Sequence, residues 1–199
     1  MVTSMQWPVI PGQTPIHLPT DEGPVLVQVA EIAGSPMLLI CSQQAVKIPI
    51  VRFHSACVFG ESLRAVDCDC GVQLVAALHA IVREGGIITY AWEEGRGLGI
   101  EAKLRAIALQ QEAGIDTAQA FARLGHPPEP RNFENHVAVL RLILPGGPVR
   151  LASSNPKKVK ALKSAGFEIV ERVTLQVPDT PERIAYLAEK ESALGHLRQ

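Results

Sequence analysis

The chain has 199 residues, of which 47% are hydrophobic and 20% charged, with a formal net charge of -1. That composition is ordinary for a globular protein with a real core. It lacks the positive excess of a nucleic-acid groove and any apolar run long enough for a membrane span, so neither partner is expected.

Residues 1–23 are Pro-punctuated, with Trp7, Pro8, Pro11, Pro15 and Pro19, and read as irregular. No Lys or Arg precedes Thr20, unlike a signal peptide. A cytoplasmic chain with reduced thiols is the expectation. Pro24 to Ala33 alternates and is rich in Val and Ile, which predicts a strand. Pro36 to Cys41 and Lys47 to Phe53 predict two more, separated by Gly34-Ser35 and by polar residues 42–44. The short connections imply an antiparallel β-meander. Val72 to Arg83 has helical spacing and stops at Gly85-Gly86. Ile87 to Trp92 reads as a buried strand, and residues 95–99 as a glycine loop. Ile100 to Ala113 is an amphipathic helix closed by Gly114. Asp116-Thr117 can cap a helix to about Leu124. The prolines at 127, 128 and 130 exclude a helix there. Phe133 to Leu144 fits helix or strand. Val149 to Ala152 is a short strand, Asn155-Pro156 starts a helix that Gly166 ends, Phe167 to Arg172 is a last strand and Pro181 to Leu197 a last helix. The fold class is α+β (mixed α/β), an N-terminal β-meander followed by alternating helices and strands, in one domain over residues 1–199.

Three of the four cysteines, Cys57, Cys68 and Cys70, fall within 14 residues. A structural zinc site normally has four protein ligands, whereas three plus a water is the catalytic arrangement. His54, three residues before Cys57, is the candidate fourth ligand of a closed Cys3His site. Small buried residues are the plain alternative for the cluster. A redox pair fits less well, because CxxC is the usual spacing. Cys41, in a predicted strand, belongs in the core.

The segments Arg52-Phe53-His54-Ser55-Ala56-Cys57 and Asp67-Cys68-Asp69-Cys70-Gly71-Val72-Gln73-Leu74 resemble the zinc region of GTP cyclohydrolase II. The likeness continues through Glu94-Gly95-Arg96-Gly97-Leu98-Gly99, Lys103-Leu104-Arg105-Ala106, Asp116-Thr117, Leu124-Gly125, Arg131-Asn132-Phe133 and Ser154-Asn155-Pro156-Lys157-Lys158 to Gly195-His196-Leu197. The resemblance implies a homodimeric enzyme that hydrolytically opens the imidazole ring of GTP, or of a related purine nucleotide, at the head of riboflavin synthesis. It implies Zn2+ on Cys57, Cys68 and Cys70, and Mg2+ with the triphosphate. Arg131 takes the place of the arginine credited with pyrophosphate release, and Glu129 that of its acid/base partner, an Asp in the family. Substrate contacts carry over onto Arg52, His54, Ser55, Gln73, Glu94, Gly95, Arg96, Thr117, Ser153 and Lys158. Gly95 and Gly97 would let backbone approach a ligand. Lys157 and Lys158 open a helix whose N-terminus favours anions.

Three departures mark a divergent member. Ile107 stands where the family has a tyrosine of the ring-opening and deformylation chemistry, Ala56 replaces a Glu, and Asp67 replaces an Arg. Ile can neither donate nor accept a proton, which points to a product that keeps its formyl group. A nucleotide-binding relative without turnover is the other reading.

Overall fold

The computed structural model describes residues 5–127 and 129–177. Among them are strands β1 (Ile16–Leu18), β2 (Val25–Ile32), β3 (Ser35–Ser42), β4 (Ile50–Ser55), β5 (Gly86–Ala91), β6 (Gly147–Leu151) and β7 (Phe167–Arg172). The helices are α1 (Val58–Glu61), α2 (Cys70–Glu84), α3 (Ile100–Ala113), α4 (Thr117–Arg123), α5 (Glu134–Arg141) and α6 (Pro156–Ser164). The helix expected over 181–197, and the Gly195-His196-Leu197 likeness, lie outside the described residues.

The α+β class holds. All seven strands join one mixed sheet in the order β1-β2-β3-β5-β4-β6-β7. β1, β2, β3 and β5 pair antiparallel, and β5, β4, β6 and β7 pair parallel. The meander is correct for β2 and β3, but β4 does not follow β3 across the sheet. β5 inserts between them, with Leu39 opposite Thr89 on one side and Phe53 opposite Thr89 on the other. The reason is burial: Ile87, Ile88 and Thr89 are inaccessible on both faces, so β5 needs neighbours on both edges. The parallel β4–β5 pair also requires a crossover, which α2 supplies. β1 lies in the stretch expected to be irregular. The undecided 133–144 segment forms α5, with Val137, Val139 and Leu140 buried.

Alternation along β4 assigns its two faces. Val51 and Phe53 join a core with Val137 and Leu140 of α5 and Leu162 of α6. Ile50 packs with Ala77 and Ile81 of α2. Arg52 and His54 share parity with Ile50, so they stand on the α2 side where β4 ends. The chain goes from β4 through α2 to β5 on one flank, then returns past β4 to β6 on the other. In open parallel sheets such a switch leaves a crevice at the carboxyl ends of the strands, the usual ligand position.

Candidate active site

Cys57 follows β4 and caps α1, its sulfur accepting the Gly60 N–H at 3.3 Å. Cys70 opens α2, and Cys68 lies just before it. Two glycines allow this meeting. A Cβ on Gly71 would stand 2.2 Å from the Gly60 carbonyl oxygen, and one on Gly60 would stand 2.7 Å from the Cys68 sulfur. α1 and the start of α2 therefore touch backbone to backbone.

The three sulfurs lie within 4.8 Å of one another, with 3.8 Å between Cys57 and Cys68. Zn–S bonds of about 2.3 Å at tetrahedral angles space sulfurs by about 3.8 Å, so the donor set fits zinc. Hydrogen bonds from Cys68 and Cys70, then from Lys103 and the Gly60 N–H, pull the Cys57 thiol far below its ordinary range. Contact with Cys57 raises Cys68 and Cys70 above the ordinary thiol range, so Cys57 alone reaches the deprotonated state a metal ligand needs without the help of a bound metal. His54 is not part of the cluster. Its Nε2 meets Glu61 Oε1 at 3.0 Å, and burial lowers its pKa to about 4. Cys41 is a buried core thiol, pushed up to about 12 by burial.

A cavity of about 670 Å³ opens beside the cysteines at the predicted crevice. Its wall includes Arg52, His54, Ser55, Gln73, Glu94, Gly95, Arg96, Thr117, Arg131, Ser153 and Lys158, together with Asp67 and Ile107. Arg52 donates to the Ala152 carbonyl at 3.1 Å and to Gln73 Oε1 at 2.6 Å. Burial draws it down to about 10, which leaves it cationic near neutrality. Lys158 donates to the Phe53 carbonyl at 2.7 Å. Asn155, the expected N-cap, accepts the Lys157 N–H at 2.9 Å and so starts α6 beside the cavity. Gly95 and Arg96 both have left-handed backbone, with φ of 60 and 57. A non-glycine residue pays about 1–2 kcal/mol there, and the turn sets the Arg96 guanidinium 5.4 Å from the Phe121 ring centre.

Glu129 is buried and does not itself line the cavity. It takes Arg131 Nε on Oε1 at 2.7 Å and Arg131 NH2 on Oε2, a two-bond fork. Asn155 Nδ2 adds a bond at 3.3 Å. Burial would raise this carboxyl, but Arg131 outweighs it and holds the pKa below the usual carboxylate value.

Four further residues were not singled out by type or motif role. Glu61 accepts from His54, from Tyr90 Oη at 2.7 Å and from the Cys57 N–H at 2.9 Å, tying the first cysteine to β4 and β5. Lys103 lies 3.0 Å from the Cys57 sulfur and 2.6 Å from Glu94 Oε1. It sits in a quoted motif, yet a lysine on an amphipathic helix reads as solvated. Glu93 and His136 form a bonded pair behind Ser55. A glutamate beside Glu94 and a histidine in an undecided segment gave no signal.

The sequence model of the GTP cyclohydrolase II family matches residues 14–174. The GTP cyclohydrolase-2 of Azotobacter vinelandii is 45% identical over 153 residues, covering 73% of this chain and 70% of that protein. The GTP cyclohydrolase-2 of Pectobacterium atrosepticum is 41% identical over 185 residues, 90% of this chain and 93% of that protein. The riboflavin biosynthesis protein RibBA of Bacillus cytotoxicus is 44% identical over 149 residues, 74% of this chain and 37% of its own length. No helix among the described residues is long and apolar enough to cross a membrane.

Proposed function

The chain belongs to the GTP cyclohydrolase II family and is a hydrolase of that type, and from this premise we propose that it opens the imidazole ring of GTP, releases pyrophosphate and leaves a pyrimidine nucleotide for riboflavin synthesis. The observation that carries the proposal is the sharing of one cavity by three metal-competent sulfurs and a set of guanidinium and ammonium groups. A zinc ion held by Cys57, Cys68 and Cys70 would supply an activated water for attack on C8 of the purine.

The chain's own groups do the rest. Glu94, fixed by Lys103 and by the Val58 N–H at 2.7 Å, offers a carboxylate edge for the guanine N1–H and 2-amino group. Lys158 and Arg96 attract the phosphates, with Mg2+ on the triphosphate. Arg131 acts at the α-phosphate, where the α–β bond breaks, pyrophosphate leaves, and one water supplies the new P–O bond of the monophosphate. Glu129, which accepts the Arg131 Nε–H at 2.7 Å, aligns it and would be the acceptor for a proton it sheds.

Ring opening adds one water across C8–N9 and leaves a formamide on the pyrimidine. A second water would release formate. Ile107 lines the cavity where the family has a tyrosine, and it offers no proton for that second step. We therefore assign a formamidopyrimidine nucleotide as the product. Mass identification of products from GTP, GDP, GMP and guanosine tests this. The expected result is the formylated nucleoside monophosphate plus pyrophosphate from GTP alone. Stoichiometric formate would refute the arrested reaction. Tight GTP binding without any product would refute the catalytic reading.

A further inference from the structure

Arg131 is gripped on two edges. Glu129 holds Nε and NH2, while NH1 donates to the Ser55 hydroxyl at 3.3 Å. Ser55 Oγ in turn lies 2.7 Å from Glu93 Oε2. Behind Glu93 stands His136, fully buried, with Nε2 at 3.4 Å from the same carboxylate oxygen and Nδ1 at 2.7 Å from the buried Thr89 Oγ1. The imidazole is stacked on Phe53, ring centres 5.0 Å apart.

With His136 neutral, only one assignment of protons satisfies every bond in this row. A carboxylate accepts and never donates. The Ser55 proton must therefore point at Glu93, which leaves an oxygen lone pair facing Arg131. His136 must carry its proton on Nε2 to meet the same carboxylate, so Nδ1 accepts from Thr89. Both ring nitrogens are then used within the protein, and His136 is absent from the cavity wall. Burial favours this neutral form. Burial alone would raise Glu93, but His136 and the Ser55 hydroxyl outweigh it and keep the carboxyl below its usual range. A buried histidine on the far side of a cavity carboxylate costs more than an apolar residue would. Its evident return is a fixed Glu93.

We propose that Glu93, anchored by His136, is a positioning residue that makes the Ser55 hydroxyl an obligate acceptor and so aims Arg131 at the phosphate. The proposal rests on the assignment of Arg131 to pyrophosphate release. In Glu93→Ala no acceptor faces the Ser55 hydroxyl, whose proton is then free to turn toward the Arg131 donor and break the row, whereas the amide oxygen of a glutamine would still accept from both Ser55 and His136. Glu93 acting directly on substrate is the competing explanation.

A double-mutant cycle separates the two. Pyrophosphate release from GTP is measured for the zinc-loaded full chain, for Glu93→Ala, for Ser55→Ala and for the pair. Rotation about the Arg131 Cζ–Nε bond is followed by NMR in the nucleotide-free proteins. We expect each single change to lower kcat about tenfold with KM within about twofold, the loss of a transition-state interaction. The double variant should be no slower than Ser55→Ala, and Arg131 should rotate faster in all three. A double variant slowed multiplicatively, about a hundredfold, would overturn the proposal, as would unchanged rotation in Glu93→Ala. A wild-type chain that releases no pyrophosphate would refute the functional assignment instead, and the rotation measurement would then decide the positioning alone.

Discussion

Removing the charge of Glu129 tests how far pyrophosphate release depends on an aligned arginine. In the structure its carboxylate receives Arg131 Nε at 2.7 Å, Arg131 NH2, and Asn155 Nδ2 at 3.3 Å. In Glu129→Gln one oxygen becomes an NH2 that faces a donor whichever way the amide turns. One charge-assisted bond is lost, worth about 1.5–3 kcal/mol. Breaking a fully buried pair costs about 3–5 kcal/mol. The Arg131 side chain keeps 17% exposure, so water recovers part of that. A net loosening of about 3 kcal/mol follows, which is about a hundredfold in the aligned population. Pyrophosphate release at saturating GTP should fall by that factor while zinc content stays at one per chain. Glu129→Asp keeps the charge at shorter reach and should recover most of the rate. A Glu129→Gln enzyme within about threefold of the parent would refute the reasoning.

Other outcomes follow from the same site. Ile107→Tyr restores a proton-bearing group on the cavity wall and should raise the formate released per GTP consumed, read by a coupled formate assay; an unchanged ratio would exonerate Ile107. Asp67→Arg shifts the cavity rim by two charge units and should lower KM for GTP about fivefold at low salt, with the difference fading as ionic strength rises. His54 has a folded pKa of about 4 against an ordinary 6.5. Between those values the unfolded chain takes a proton that the folded chain refuses, so stability is lost as pH falls through that window. The loss is on the order of 3 kcal/mol, and denaturant unfolding at several pH values should show a shallower slope in His54→Gln.

Local structure was legible wherever a pattern met a stop signal. α3 begins and ends where the Ala/Leu periodicity and Gly114 place it, and Gly114 takes the left-handed backbone expected of it. Asp116 and Asn155 cap their helices as read. β1 was invisible because three exposed residues carry no alternation. The place of β5 between β3 and β4 was invisible because pairing over long separations leaves no local trace. α5 was ambiguous because Val137, Val139 and Leu140 suit a strand as well as a helix, and the buried His136 breaks either pattern. At the site, the spacing of Cys57, Cys68 and Cys70 pointed to a candidate metal cluster because sulfur ligands are chemically specific, and the fold gathers those sulfurs within 4.8 Å. Glu61, Glu93 and Lys103 stayed hidden because a charged side chain announces a partner only once the fold supplies one.

The central claim is that the crevice at the ends of β4, β5 and β6 is a metal-dependent centre that opens GTP. The most direct measurement strips the protein with a chelator, returns zinc in steps, and follows zinc per chain together with the product mass from GTP. No ring-opened product is expected without metal, and turnover should rise in proportion to zinc, to a plateau at one ion per chain. Cys68→Ser should show neither zinc binding nor turnover. Ring opening at full rate in the stripped protein, or one bound zinc with GTP left intact, would contradict that claim.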